Sequence, residues 1–136
     1  MDEDILRTVE KISGKLSRDC YYDLCCLVKA AIPRMPGTFS METLYPEAQR
    51  YSEKEKDTLA KALSRAAEDI WAYGDRAALE RLFRRTLPDK PMPKDLVRAL
   101  ALSVVVGVLT LVITAAVQMR PLLASLATTK VSNTVT

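Results

Sequence analysis

Leu59-Ala60-Lys61-Ala62-Leu63-Ser64-Arg65-Ala66-Ala67-Glu68-Asp69-Ile70-Trp71, closed by Gly74, carries the most organised pattern in the chain. Leu59, Ala62, Leu63, Ala66, Ala67 and Ile70 recur at helical spacing and make one apolar face. At about 100° per residue, Lys54, Thr58, Lys61 and Arg65 fall in a stripe opposite that face. Just upstream, Ser52-Glu53-Lys54-Glu55 has the form of a capping box. The Ser52 hydroxyl would accept from the N–H of Glu55 and the Glu55 carboxylate would reach back to Ser52, starting a helix at Glu53. Gly74 stands where a helix C-terminus favours glycine. Before the break, Met41, Leu44 and Tyr45 predict a short helix capped by Ser40, with Pro46 tolerated in its first turns. A helix held by its apolar back, with cations along its front and a second helix before it, suits the DNA major groove. A merely solvated face has the same charge pattern, so both readings are open at this level.

Outward from this centre the chain continues as helices. Ile5, Val9, Ile12 and Leu16 predict a first amphipathic helix, with Asp2, Glu3 and Asp4 favourable at its N-terminus and Gly14 weakening its last turn. Ser17 is a candidate cap for a second helix through Ile32, ended by Pro33 and Pro36-Gly37. Asp75 is placed to cap a helix from Arg76 to Arg85, with Leu79, Leu82 and Phe83 facing inward. Arg81, Arg84 and Arg85 form a basic cluster there, which either meets a DNA backbone or solvates the helix end. No alternating apolar run argues for a strand. The expected fold is therefore all-α, a domain of five to six helices followed by one transmembrane helix.

With 136 residues there is room for one globular domain and little else. The formal charge of +3 says less than its distribution. Residues 1–49 carry six Lys/Arg against eight Asp/Glu, and residues 50–98 carry twelve against nine. The basic half holds the cation-fronted helix. There are no histidines, which removes His-based acid–base chemistry and His metal ligands. Cys20, Cys25 and Cys26 lack a CxxC spacing and read first as packed small side chains, with redox sensing or acylation as the alternatives. Trp71 and Tyr21, Tyr22 and Tyr45 read as core or boundary residues. Neither a phosphate loop nor a nucleophile elbow is visible. We expect no enzyme, no cofactor, no metal and no small-molecule substrate.

Residues 99–119 contain no charge over twenty-one positions. As a helix they would extend about 31 Å, close to the roughly 30 Å hydrocarbon core of a bilayer. A domain helix is the alternative, although the preceding residues are too few to cover it on all sides. Arg84, Arg85, Lys90, Lys94 and Arg98 precede the run, and only Arg120 and Lys130 follow it. This bias predicts a cytoplasmic domain (1–98), a span (99–119) and a short polar tail (120–136) on the far side. Ser103, Gly107, Thr110, Thr114 and Gln118 share one helix face, which suits a homodimer but also matches the ordinary abundance of small residues in such helices.

Several of these elements occur together in one known family. Leu44-Tyr45-Pro46, the run from Leu59 to Trp71, Gly74, Leu82-Phe83 and Lys90-Pro91, with Cys20-Tyr21-Tyr22-Asp23-Leu24 and Ala31-Ile32 upstream, resemble the C-terminal DNA-binding effector domain of the sporulation master response regulator. The resemblance covers residues from about Ile5 to about Leu102. It implies a helix-turn-helix domain, double-stranded DNA as partner, a role in sporulation transcription, and a bacterial cell membrane as the location of the anchored form. It also implies that Lys54, Thr58, Lys61, Ser64 and Arg65 are the DNA-binding residues, with Arg81, Arg84 and Arg85 as phosphate contacts. The receiver domain that precedes this module in the family is expected to be lacking. The family has an acidic residue at Ala60, arginines at Lys61 and Ser64, and histidine at Arg65. Lysine meets guanine or phosphate without arginine's planar fork, so the family's target sequence is not implied. The rival expectation is a membrane-tethered protein-interaction module that keeps the helical fold and has lost its DNA contacts.

Overall fold

The structure is a computed structural model that describes the backbone of residues 2–135 and the side chains of residues 2–119. The side chains of the 120–136 tail thus lie outside the described residues. Six α-helices are present among the described residues: α1 Asp2–Ile12, α2 Arg18–Ala31, α3 Met41–Ser52, α4 Lys56–Tyr73, α5 Arg76–Phe83 and α6 Pro93–Val135. A 3-10 turn, Ile32–Arg34, extends α2. The fold is all-α, as the periodicity predicts, and no strand occurs among the described residues.

The apolar rows of the sequence become one core. Helix α2 is its centre and packs against α1, α3 and α4, while α5 packs on α1. Leu24, Leu27 and Val28 of α2 are fully buried, with Ile5 and Val9 of α1, Leu44 of α3 and Leu59 and Leu63 of α4 around them. Each such side chain contributes on the order of 1.5–3 kcal/mol by leaving water. Trp71 lies half-buried against this core, and the Arg76 guanidinium stacks 3.4 Å from the centre of its ring. Cys26 is buried and Cys20 and Cys25 are half-buried, all as free thiols. Burial pushes the Cys25 thiol up to about 11, which suits packing and disfavours a reactive thiolate.

Several helix ends differ from their expected places. The capping box at Ser52 does not form, because α3 runs on through Ser52 and Glu53 adopts a left-handed conformation as its C-cap (φ 60°, ψ 18°). Helix α4 then starts at Lys56 with Glu55 as N-cap and no side-chain cap. The Ser52 hydroxyl instead accepts weakly from the Lys54 N–H at 3.4 Å. Pro46 is not in a first turn but at the sixth position of α3, beyond the N–H groups that a helix leaves free, so the Glu42 carbonyl lacks its usual partner. Tyr22, expected in the core or at its edge, is 51% exposed and donates to the Tyr51 carbonyl at 3.1 Å. Helix α5 stops at Phe83 because Arg84 is left-handed. Gly74 follows α4 in extended rather than left-handed backbone; a side chain there would meet the Ile12 carbonyl oxygen at 2.2 Å, so close approach explains the glycine. The Ser40 and Asp75 caps do form, accepting from Thr43 N–H at 3.3 Å and Ala78 N–H at 3.1 Å.

A buried carboxylate joins α4 to the loop after α1. Asp69 is 8% exposed and accepts from the N–H groups of Lys15 and Leu16, each at 3.1 Å, and from the Tyr21 hydroxyl. The same hydroxyl accepts from Gly14 N–H at 3.0 Å. Burial opposes the charge on Asp69, but these donors outweigh it and hold the carboxyl below its ordinary value. A side chain at Gly14 would lie 2.5 Å from the Asp69 carbonyl oxygen.

Residues 1–105 form one compact unit and residues 106–136 a second. In the first, Leu96, Val97, Leu100, Ala101 and Val104 of α6 are all buried in the core. The first unit thus reaches seven residues beyond the cation-flank boundary at Arg98. In the second, Leu109, Leu111, Val112, Ile113, Val117 and Met119 are all more than half exposed. Between Pro93 and Met119 the chain is long and apolar enough to cross a membrane. Ser103 belongs to the first unit, so the small-residue face is divided. Gly107, Thr110, Thr114 and Gln118 remain exposed in the second, where the Thr110 hydroxyl donates to its own helix at the Val106 carbonyl.

Candidate nucleic-acid interface

The exposed front of α4 follows from how its back is held. Leu59, Leu63, Ala66, Ala67, Asp69 and Ile70 are buried, which turns Thr58, Lys61, Ser64 and Arg65 to solvent. Three residues, Glu53, Lys54 and Glu55, join α3 to α4. The Gln49 amide fastens this turn by donating to the Lys54 carbonyl at 3.0 Å. Among the described residues, no ion pair or side-chain hydrogen bond engages Thr58, Lys61, Ser64 or Arg65. Their polar atoms are therefore available to an incoming partner.

Lys54 is placed differently. It sits in the turn rather than on α4, and its ammonium lies 2.8 Å from Asp23 Oδ2. The Asp23 hydrogen bond raises the lysine above its ordinary value. Asp23 is 4% exposed, and its Oδ1 has no hydrogen-bond partner among the described residues. Neutralising that buried carboxylate is the evident work of Lys54, because an unpaired buried charge is costly.

An open depression of about 450 Å³ runs along the outer edge of the packed α2 and α4. Lys54, Thr58, Lys61 and Arg65 line one side, and Asp19, Cys20 and Asp23 the other. The structure thus brings together four of the five residues expected to contact DNA, with Ser64 exposed beside them. Arg81, Arg84 and Arg85 do not line this depression. Arg81 lines a separate depression with Thr8 and Lys11 of α1, and the Arg85 guanidinium lies 5.9 Å from the Phe83 ring.

The acidic wall is not among the features the sequence pattern predicts. Asp23 heads the row Asp23, Leu27, Ala30, all buried. A carboxylate in an apolar row at helical spacing was the available sign that a cation would approach it. Asp19 carries no such sign. The depression can attract an anion at Lys61 and Arg65 while Asp19 repels one nearby, which favours an oriented contact over an indiscriminate one. Among the described residues, no group of His, Cys, Asp or Glu could hold a metal ion. No family model, curated protein or solved structure matches the chain.

Proposed function

We propose that this protein is a membrane-anchored DNA-binding transcription regulator, with α3 and α4 as a helix-turn-helix and α4 presented to the major groove. The observation that carries the reading is the unengaged, exposed Lys61, Ser64 and Arg65 on the second helix of a pair joined by a three-residue turn. Lys61 and Arg65 supply phosphate or guanine contacts, and Thr58 and Ser64 hydroxyls supply further ones. Lys54 serves mainly to neutralise Asp23. The family resemblance of the residues adds sporulation control as the setting. The uncharged 99–119 run anchors the protein in a bacterial membrane, and the cations from Arg84 to Arg98 favour a cytoplasmic domain. The exposed Gly107, Thr110, Thr114 and Gln118 face allows two copies to pair, which would raise affinity for two half-sites.

A membrane-tethered protein-interaction module is the second reading, and Asp19 favours it, since an exposed carboxylate opposite Lys61 and Arg65 suits a mixed-charge protein surface. The test is binding of the full-length protein in lipid nanodiscs to duplex DNA, followed by fluorescence anisotropy over a salt series. Regulators of this kind lose affinity with salt, the logarithmic slope being about −0.9 for each phosphate neutralised. Measurable binding with such a slope supports the DNA reading. Absence of binding at low salt removes it and leaves the protein-interaction module.

A further inference from the structure

The run of uncharged residues in α6 serves two environments, and the structure marks where they meet. Leu96, Val97, Leu100, Ala101 and Val104 recur at helical spacing, and none is more than 3% exposed within the first unit. Ser103, at the edge of that same face, lines an open depression with Lys11, Asp75 and Arg81. Those three charged groups need water. If hydrocarbon began at Ala99, they would be drawn into it along with Ser103, at a cost that charged groups in membranes avoid.

From residue 106 onward the character changes. Leu109, Leu111, Val112, Ile113, Val117 and Met119 are exposed and spread over about two-thirds of the helix circumference, the remaining third being the Gly107, Thr110, Thr114 and Gln118 face. A partner helix would cover one stripe, whereas lipid covers every face. Yet residues 106–119 extend only about 21 Å, short of a bilayer core of about 30 Å. The backbone remains helical through Val135. In the sequence, only Arg120 interrupts the uncharged residues before Lys130. Residues 106–129 would extend about 36 Å, enough to cross with some tilt.

We propose that the lipid-embedded segment begins at about Val106 and reads through Arg120 to about Thr129, so that residues 99–105 belong to the aqueous domain. This rests on the membrane reading above. Arg120 then falls about 21 Å along this segment of about 36 Å, just past its midpoint, where a charge is costly unless it finds a partner or reaches the far-side headgroups. The far-side tail shortens to the residues after Thr129.

The experiment is thiol accessibility in sealed vesicles containing the full-length protein, using Ser103→Cys, Thr110→Cys, Thr114→Cys, Ser125→Cys and Ser132→Cys one at a time. These substitutions are close in size to the native side chains. Each is treated with a membrane-impermeant maleimide on both sides of the vesicle, and labelling is counted above that of the unsubstituted protein with its three native thiols. We expect labelling at positions 103 and 132 and at least tenfold protection at 110, 114 and 125, relieved by detergent. Protection at 103, or labelling at 125, with 110 and 114 still protected, overturns the register and leaves the membrane reading standing. Equal labelling at 103, 110, 114 and 125 overturns both.

Discussion

Asp69 shows how one side chain can tie together parts of the chain that sequence keeps far apart. It sits between Ala66 and Ile70 in a buried row, and its oxygens take up two backbone N–H groups and a tyrosine hydroxyl near the end of α1. Hydrogen bonds to charged groups are worth about 1.5–3 kcal/mol each and are not additive. Asp69→Ala should therefore lower stability by about 2–4 kcal/mol in denaturant unfolding of the full-length protein in detergent. The carboxyl is depressed in the folded state, so its contribution is present above the unfolded value. It is lost as pH falls through the lower folded value. Wild type should consequently lose stability below about pH 4, and Asp69→Asn should flatten that part of the profile. An equally steep acid limb in the variant would contradict this role. Asp19 makes the complementary case on the surface. If the depression beside it faces DNA, Asp19→Asn should raise affinity about two- to fivefold at low salt, an effect that shrinks as salt screens it. No change or a loss, read by anisotropy, would contradict that placement.

At the scale of helices, the caps separate what a motif suggests from what the backbone adopts. Ser40→Ala and Asp75→Ala should each cost about 1 kcal/mol, because both side chains accept from an N–H at a helix start. Ser52→Ala should change stability by no more than about 0.5 kcal/mol, since no capping box forms there. A thermal unfolding series of the three variants checks this, and a Ser52→Ala loss as large as the others would contradict it. The helices themselves were legible because apolar side chains repeat at helical spacing and Pro33, Pro36 and Gly74 punctuate them. The α3–α4 junction was not, because Ser-x-x-Glu marks a helix start only when the chain has already left the preceding helix. Here α3 continues through Ser52, and Glu53 makes the break. Asp23 and Asp69 were hidden for another reason: their partners, Lys54 and the loop from Gly14, come from elsewhere in the chain. The same holds for α6, where hydropathy alone does not distinguish Leu100 in the core from Leu109 outside it.

Across the molecule, an all-helical first unit carries the cation-lined α4, and an exposed apolar helix follows it in the chain. In the proposed function these act as regulator and anchor. Lys61 and Arg65 carry that proposal: they are exposed, unengaged among the described residues and removable without disturbing the core. Their removal is the most direct test. Full-length Lys61→Ala/Arg65→Ala protein in nanodiscs should bind duplex DNA about a hundredfold more weakly than wild type, corresponding to about 1.4 kcal/mol for each side chain. If both side chains meet phosphates, its salt slope should be shallower by about two contacts. Unfolding at the wild-type midpoint would show that the fold is intact. Affinity and salt slope equal to wild type, with that midpoint unchanged, would contradict the assignment of α4 as the DNA-reading helix.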